Sequence, residues 1–233
     1  MTIHNPQHPN LNQVTLLRTR RGRERSSRFV AEGEDLIAAA ATNGWKPVDS
    51  FVAEGSGLSG TEVSEEALAE VSALGSGTRA LAIYEQRWAQ PGGPLAVWLH
   101  GVGDPGNVGT IIRSAHAFGA SSVILGPGSA DPFGPKAVRA SMGAIFSVAV
   151  ARADQIEQLP GTTVALAATA SVELDGAPWP NGELTLLIGA ERDGLPDAIV
   201  AAASEARSIA INGDSLNAAM AATIALYSCT RKV

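Results

Sequence analysis

Apolar residues recur with helical spacing near the start of the chain. Leu11, Val14 and Leu17, with neighbouring Leu16, predict a short helix. Arg28 to Ala31 and Val48 to Ala53 read as short strands, and Glu34 to Asn43 as a helix with Gly44 as its C-cap. Ser64-Glu65-Glu66 has the cap and acidic first turn of another helix, and Arg79 to Tyr84 is a last strand. The rhythm then breaks: Pro91, Gly92, Gly93 and Pro94 can continue neither a helix nor a central strand. From Leu95 it restarts as a strand to His100. A helix follows from Asn107 to Phe118, with Val108, Ile111, Ile112 and Ala115 on one face. Ser121 to Leu125 and Phe146 to Val150 read as strands around a short helix within Gly134 to Met142. Thr163 to Ala168 and Leu184 to Ile188 are continuous apolar runs, as buried parallel strands require. Ser208 to Ile211 reads as the last strand and Ser215 to Thr230 as a long final helix. The pattern predicts a small α/β domain over 1–86, a linker over 87–94, and a larger α/β domain with a parallel sheet over 95–233.

Composition adds limits. A hydrophobic share of 45% can build a sizeable core, and an aromatic share of 5% leaves it to aliphatic side chains. The one cysteine, Cys229, can form no intrachain disulfide, and there is no Cys/His cluster, so no metal is expected. No apolar run approaches the ~20 residues that span a bilayer, and the polar opening segment is unlike a signal peptide. A cytoplasmic protein without a membrane partner is expected. The net charge of −6 argues against a nucleic-acid partner, but its distribution reverses the argument. Arg18, Arg20, Arg21, Arg23, Arg25 and Arg28 fall within eleven residues, opposed only by Glu24. Such a cluster can neutralise phosphates on an acidic protein, although a solvated helix end has the same composition.

Three loops could carry chemistry. Gly101-Val102-Gly103-Asp104-Pro105-Gly106 matches a dinucleotide-binding fingerprint between strand and helix. Two features oppose that reading. The next strand ends Val123-Ile124-Leu125-Gly126-Pro127 without an acidic residue for a ribose, and Pro105 removes an N–H from the turn. On the following helix Arg113 lies away from the apolar stripe, and Asn107 could be no more than its N-cap. The second loop is Gly189-Ala190-Glu191-Arg192-Asp193-Gly194, after a buried strand and before Pro196. The third is Asn212 to Asn217, where Ser215 could be only a cap and Asn217 only a first-turn polar residue.

In this order the three loops resemble the signature motifs of the SpoU-type (TrmH-like) RNA 2′-O-ribose methyltransferases of the SPOUT superfamily. His100 to Ala115 resembles the first motif, Leu187 to Leu195 the second, and Ile209 to Asn217, with its Ser-Leu-Asn core, the third. Lys136 to Ala144 resembles the family's Arg-Ala-Ser-x-Gly-Ala stretch. Gly22-Arg23-Glu24 and Arg28 to Gly33 are similar to the opening of the L30e-like substrate-binding domain that precedes many such catalytic domains. Two positions depart from the pattern: Ala190 stands where Asn is usual, and Ala210 where Pro is usual.

The resemblance implies a SPOUT α/β-knot domain with a deep trefoil knot, pairing as a homodimer through the knotted region. It implies S-adenosylmethionine as cofactor and methyl transfer to a ribose 2′-hydroxyl of RNA, with 23S rRNA favoured over tRNA. A catalytically inactive, ribosome-associated RNA-binding factor is the alternative. Arg113, Asn107, Glu191, Ser215 and Asn217 are the implied catalytic residues, Arg113 acting on the 2′-hydroxyl from the opposite subunit. The implied cofactor residues are Leu187, Ile188, Gly189, Ala190, Glu191, Gly194, Ile209, Ala210, Ile211, Ser215, Leu216 and Asn217, with Thr169 after its strand. Arg18, Arg20, Arg21, Arg23, Arg25, Arg139 and Ser141 are the candidates for RNA contact.

Overall fold

The protein is represented by a computed structural model that describes residues 2–75, 77–213 and 216–231. The chain divides into two compact units, Met1–Arg87 with Asp131–Phe146, and Trp88–Ala130 with Ser147–Val233.

In the first unit, helix α1 (Pro9–Leu17) has a proline in its first turn, where the missing N–H is no loss, and buries Leu11, Val14 and Leu17. Helix α2 (Arg20–Ser26) is not legible by periodicity, because its arginine-rich sequence has no apolar stripe. Local capping sets it instead: the Thr19 hydroxyl accepts from the Gly22 N–H at 3.1 Å. A Cβ on Gly22 would lie 2.0 Å from the Leu16 carbonyl oxygen, so the tight α1–α2 turn requires glycine. Then come β1 (Arg28–Glu32), α3 (Glu34–Thr42), β2 (Asp49–Ala53), β3 (Thr61–Val63), α4 (Glu65–Val71) and β4 (Ala80–Glu85). They form a four-stranded sheet of order β1-β4-β2-β3, with β4 antiparallel to both of its neighbours. Leu11, Val14 and Leu17 share a core with Phe51, Leu68, Leu81 and Ile83.

The second unit opens with β5 (Leu95–Leu99), α5 (Pro105–Ala117) and β6 (Ser122–Leu125). Residues 131–146, with α6 (Pro135–Ala140) and a short 3-10 turn at Ala144–Phe146, then fold as part of the first unit rather than the second. Phe133 and Phe146 join Phe29, Trp45 and Tyr84 in an aromatic cluster with ring centroids 4.9–6.3 Å apart. The Trp45 indole N–H donates to the Phe146 carbonyl at 2.9 Å. This packing explains why Phe146 is not the start of a strand.

The chain returns to the second unit with β7 (Ala149–Arg152), β8 (Thr162–Leu166), β9 (Leu184–Ile188), α7 (Asp197–Ala202), β10 (Glu205–Arg207) and α8 (Ala218–Thr230). The six strands are all parallel, in the order β10-β8-β9-β5-β6-β7. The last strand lies at 205–207 and not at 208–211. Ser208 leaves the ladder with β8 and exchanges backbone hydrogen bonds with Val172 and Leu174. Helix α8 begins at Ala218, capped by Asn217. Among the described residues no helix is long and apolar enough to cross a membrane.

Candidate active site

A cleft of about 310 Å³ opens in the second unit where β8, β9 and β10 end at their carboxyl termini. That is where parallel α/β sheets bind ligands, and the size lies at the small end of ligand pockets. Its wall is built by Leu166 to Thr169 after β8, Ile188 to Leu195 after β9, and Arg207, Ile209 and Ile211 after β10, with Leu216, Ala218 and Ala221 from the last helix and its approach. The segment after β9 folds into a tight hairpin: Ala190 and Gly194 exchange backbone hydrogen bonds of 3.1 and 3.0 Å. A Cβ on Gly189 would lie 2.1 Å from the Gly194 backbone, so glycine is needed for the hairpin to fold back against the strand end. Gly194 has φ +63°, which glycine adopts without strain.

The first motif meets the other two beside this cleft. Asp104, not Asn107, caps α5; its carboxylate accepts from the Asn107 N–H at 3.0 Å. The Asn107 side chain is thereby free for other partners. Its amide donates to the Glu191 carboxylate, and its carbonyl oxygen accepts from the Asn217 amide at 3.1 Å. The Asn217 carbonyl oxygen in turn accepts from the N–H groups of Ala219 and Met220, capping α8. One residue from each motif therefore joins a single hydrogen-bonded row. Ser215 lies outside the described residues. Arg113 is exposed on α5 and has no hydrogen-bond or ion-pair partner among the described residues.

Thr169, Ile188, Gly189, Ala190, Glu191, Gly194, Ile209, Ile211 and Leu216 all line the cleft. Three expected cofactor residues do not. Leu187 is fully buried in the core with Trp98 and Ile124, since alternate side chains of β9 face opposite sides of the sheet. Ala210 is exposed between two residues that face the cleft, and Asn217 is occupied as cap and partner of Asn107. Leu166, Asp193, Asp197 and Arg207 also line the cleft and are not among the residues expected from sequence. Leu166 ends a strand that the apolar pattern marks as parallel, and carrying the strand-end rule to β8 would find it.

Of the expected RNA contacts, Arg18, Arg20, Arg21, Arg25 and Arg139 are exposed. Arg20 pairs with Glu24 at 2.7 Å, a charge-assisted bond that raises its pKa further. Arg23 and Ser141 are corrected to structural roles. Arg23 is buried against Asp131 at 2.8 Å and donates to the Leu17 and Arg18 carbonyls. Ser141 is fully buried, with its hydroxyl donating to the Val138 carbonyl, the usual back-bond of a helix end.

Two titratable groups stand apart. The buried Nδ1 of His100, after β5, has no hydrogen-bond partner among the described residues, and burial holds the imidazole pKa below its ordinary 6.5. Burial pushes the Cys229 thiol up to about 11, so it stays protonated and unreactive near neutral pH. Among the described residues no group of three or more His, Cys, Asp or Glu could hold a metal.

Comparison with known proteins places the chain in a family. A 23S rRNA (guanosine(2553)-2′-O)-methyltransferase, RlmP, of Bacillus subtilis is 29% identical over 231 residues, covering 91% of this chain and 92% of that protein. A ribosomal RNA small subunit methyltransferase G 2 of Syntrophobacter fumaroxidans is 44% identical over 129 residues. That match covers 55% of this chain, which spans only 26% of that longer protein. The crystal structure of an AdoMet-bound rRNA methyltransferase from Sinorhizobium meliloti superposes with a TM-score of 0.86 at 30% identity, covering 98% of this chain and 97% of that one. The profile described as the SpoU rRNA Methylase family matches residues 94–227, more than half of the chain, and the protein belongs to that family.

Proposed function

We propose that this protein transfers a methyl group from S-adenosylmethionine to a ribose 2′-hydroxyl of ribosomal RNA, with 23S rRNA the substrate class. The observation that carries the reading is the row Glu191–Asn107–Asn217 at the edge of a strand-end cleft in a SpoU family fold. The cleft suits the cofactor: Leu166, Ile188, Leu195 and Ile209 offer apolar surface, and Thr169, Glu191 and Asp193 offer polar groups. When bound, S-adenosylmethionine supplies an activated methyl on a good leaving group. The chain's own residues must orient the ribose and stabilise charge on its oxygen. Asn107, fixed on both sides, holds Glu191 at the cleft rim, and Asn217 ties that arrangement to α8. Arg113 stabilises the developing alkoxide through the N–H donors of its guanidinium.

Arg113 acts on the 2′-hydroxyl that faces the cofactor bound by a second copy in a homodimer. Support comes from α8, where Met220, Ile224 and Tyr227 form an exposed apolar stripe. The Ser114 hydroxyl, next to Arg113, lies 2.6 Å from that of Thr223, next to Ile224. The second unit is a knotted SPOUT domain in this reading: Arg207 and Ser208 are hydrogen-bonded to Ala167 on one side and to Val172 and Leu174 on the other, as in a strand threaded through the 167–174 loop. The first unit is an L30e-like domain that grips RNA phosphates through Arg18, Arg20, Arg21 and Arg25, with Arg139 from the 131–146 segment. The reaction takes place in the cytoplasm, where the RNA and the cofactor occur.

Incubating the protein with methyl-labelled S-adenosylmethionine and total RNA tests the reading. Label in 23S rRNA is expected, and its loss in Arg113→Ala with cofactor binding retained. Label confined to tRNA, or wild-type turnover in Arg113→Ala, would overturn the corresponding part.

A further inference from the structure

The connection from β8 to β9 gives its first residues, Ala167 to Thr169, to the cleft, and between Thr169 and Leu184 its regular pairing is a single bridge, Glu173 to Ser208. Beyond that bridge, one buried side chain gathers the rest of it. Arg207 is 1% exposed and places four guanidinium hydrogen bonds. Its Nη1 donates to the Leu174 and Ala177 carbonyls, both at 2.9 Å. Its Nη2 donates to the Pro178 carbonyl at 2.7 Å, its Nε donates to the Glu205 carboxylate at 3.1 Å, and that carboxylate also pairs with Nη2 at 3.0 Å. The Trp179 ring covers the guanidinium at 4.2 Å, and its indole N–H donates to the Ser228 hydroxyl on α8. Ser228 completes the tie by donating to Asp175 at 2.8 Å. The backbone of the same arginine accepts from the Ala167 N–H at 3.0 Å, and the chain beyond it carries Ile209 and Ile211 into the cleft.

We propose that Arg207 is the positioning residue of the cofactor cleft: by tying down the 174–179 segment behind it, Arg207 holds the cleft-lining residues 167–169 in register with Ile209 and Ile211, so that S-adenosylmethionine binds a formed site. The inference rests on the reading of this cleft as the cofactor site. Only a planar fork can serve three carbonyls and a carboxylate together; a lysine ammonium has three donors radiating from one point. The Arg207 guanidinium is committed to these protein partners, so its effect falls on cofactor affinity and not on the methyl-transfer step.

The test measures S-adenosylmethionine binding by calorimetry, and steady-state kinetics, for wild type, Arg207→Lys and Trp179→Phe. Leaving buried carbonyls unpaired is expected to raise Kd and KM for the cofactor about tenfold or more in Arg207→Lys. The same variant is expected to keep kcat at saturating cofactor, and KM for RNA, within about twofold of wild type. Trp179→Phe keeps a ring over the guanidinium but loses the donor to Ser228, and is expected to show a smaller rise in cofactor Kd. It carries the test alone if Arg207→Lys does not fold. A folded Arg207→Lys with wild-type cofactor Kd, or with kcat reduced and Kd unchanged, would overturn the proposal, as would an unchanged Kd in Trp179→Phe. Absence of cofactor binding by the wild type would overturn both this proposal and the cofactor reading, which separates the two failures.

Discussion

Asn107 is placed by three independent restraints: a capped helix start, a carboxylate partner and an amide partner. Such restraint suits a residue whose task is orientation. Replacing Asn107 with alanine keeps the Asp104 cap but removes both side-chain bonds, and misplacement of about 1 Å at a reacting centre lowers rates about a hundredfold. Single-turnover methyl transfer is expected to fall by that order, with cofactor Kd nearly unchanged because Asn107 does not line the cleft; an unchanged rate would remove it from the machinery. His100 gives a pH signature. Its folded pKa is depressed, so the unfolded chain takes up a proton first as pH falls through 6.5. The histidine's contribution is complete above that value and is lost below it. The thermal midpoint should fall between about pH 7 and pH 5.5, and His100→Gln should flatten that part of the profile. A wild-type midpoint independent of pH across this window would contradict the assignment. At this scale the candidate residues are legible in the sequence as types and spacings. Their partners are not, because the Asn107–Glu191 and Asn107–Asn217 bonds join positions separated by most of the second unit.

Helix α2 divides its arginines between two tasks. Arg23 is turned inward to Asp131, whereas Arg18, Arg20, Arg21 and Arg25 at and around the helix are exposed. Breaking a buried ion pair costs about 3–5 kcal/mol. Arg23→Ala and Asp131→Ala are each expected to lose stability of that order in denaturant unfolding, and a loss within error of zero would refute the structural role. Neutralising the four exposed arginines should leave stability nearly unchanged. It should also make RNA binding less salt-dependent, with log K against log salt shallower by roughly 0.7–0.9 for each phosphate no longer neutralised. An unchanged slope would return these side chains to plain surface. Elements with apolar periodicity are readable: Leu184–Ile188 stands with the limits that its continuous apolar run predicts. Elements fixed by other means are hidden. Helix α2 has no apolar face, β10 ends where Arg207 gives way to the pairing of Ser208 with the 172–174 segment, and Phe146 is claimed by an aromatic cluster assembled from distant residues.

Across the whole molecule, α/β alternation and a break after residue 86 are visible in the pattern, but the return of residues 131–146 to the first unit is not. Nothing in local periodicity distinguishes Phe133 and Phe146 from core residues of the second unit. The proposed homodimer also belongs to this scale. Placing aspartate at Met220 and Tyr227 together should yield a monomer in sedimentation and abolish turnover, because Arg113 would no longer reach a second cofactor; a fully active monomer would contradict action across subunits. The central claim is methylation at the ribose oxygen, and alkaline hydrolysis of the labelled RNA tests it most directly. A 2′-O-methyl group blocks cleavage at its own phosphodiester, so the account predicts that the label is recovered in alkali-resistant dinucleotides of 23S rRNA. Recovery of the label as a base-methylated mononucleotide would contradict it.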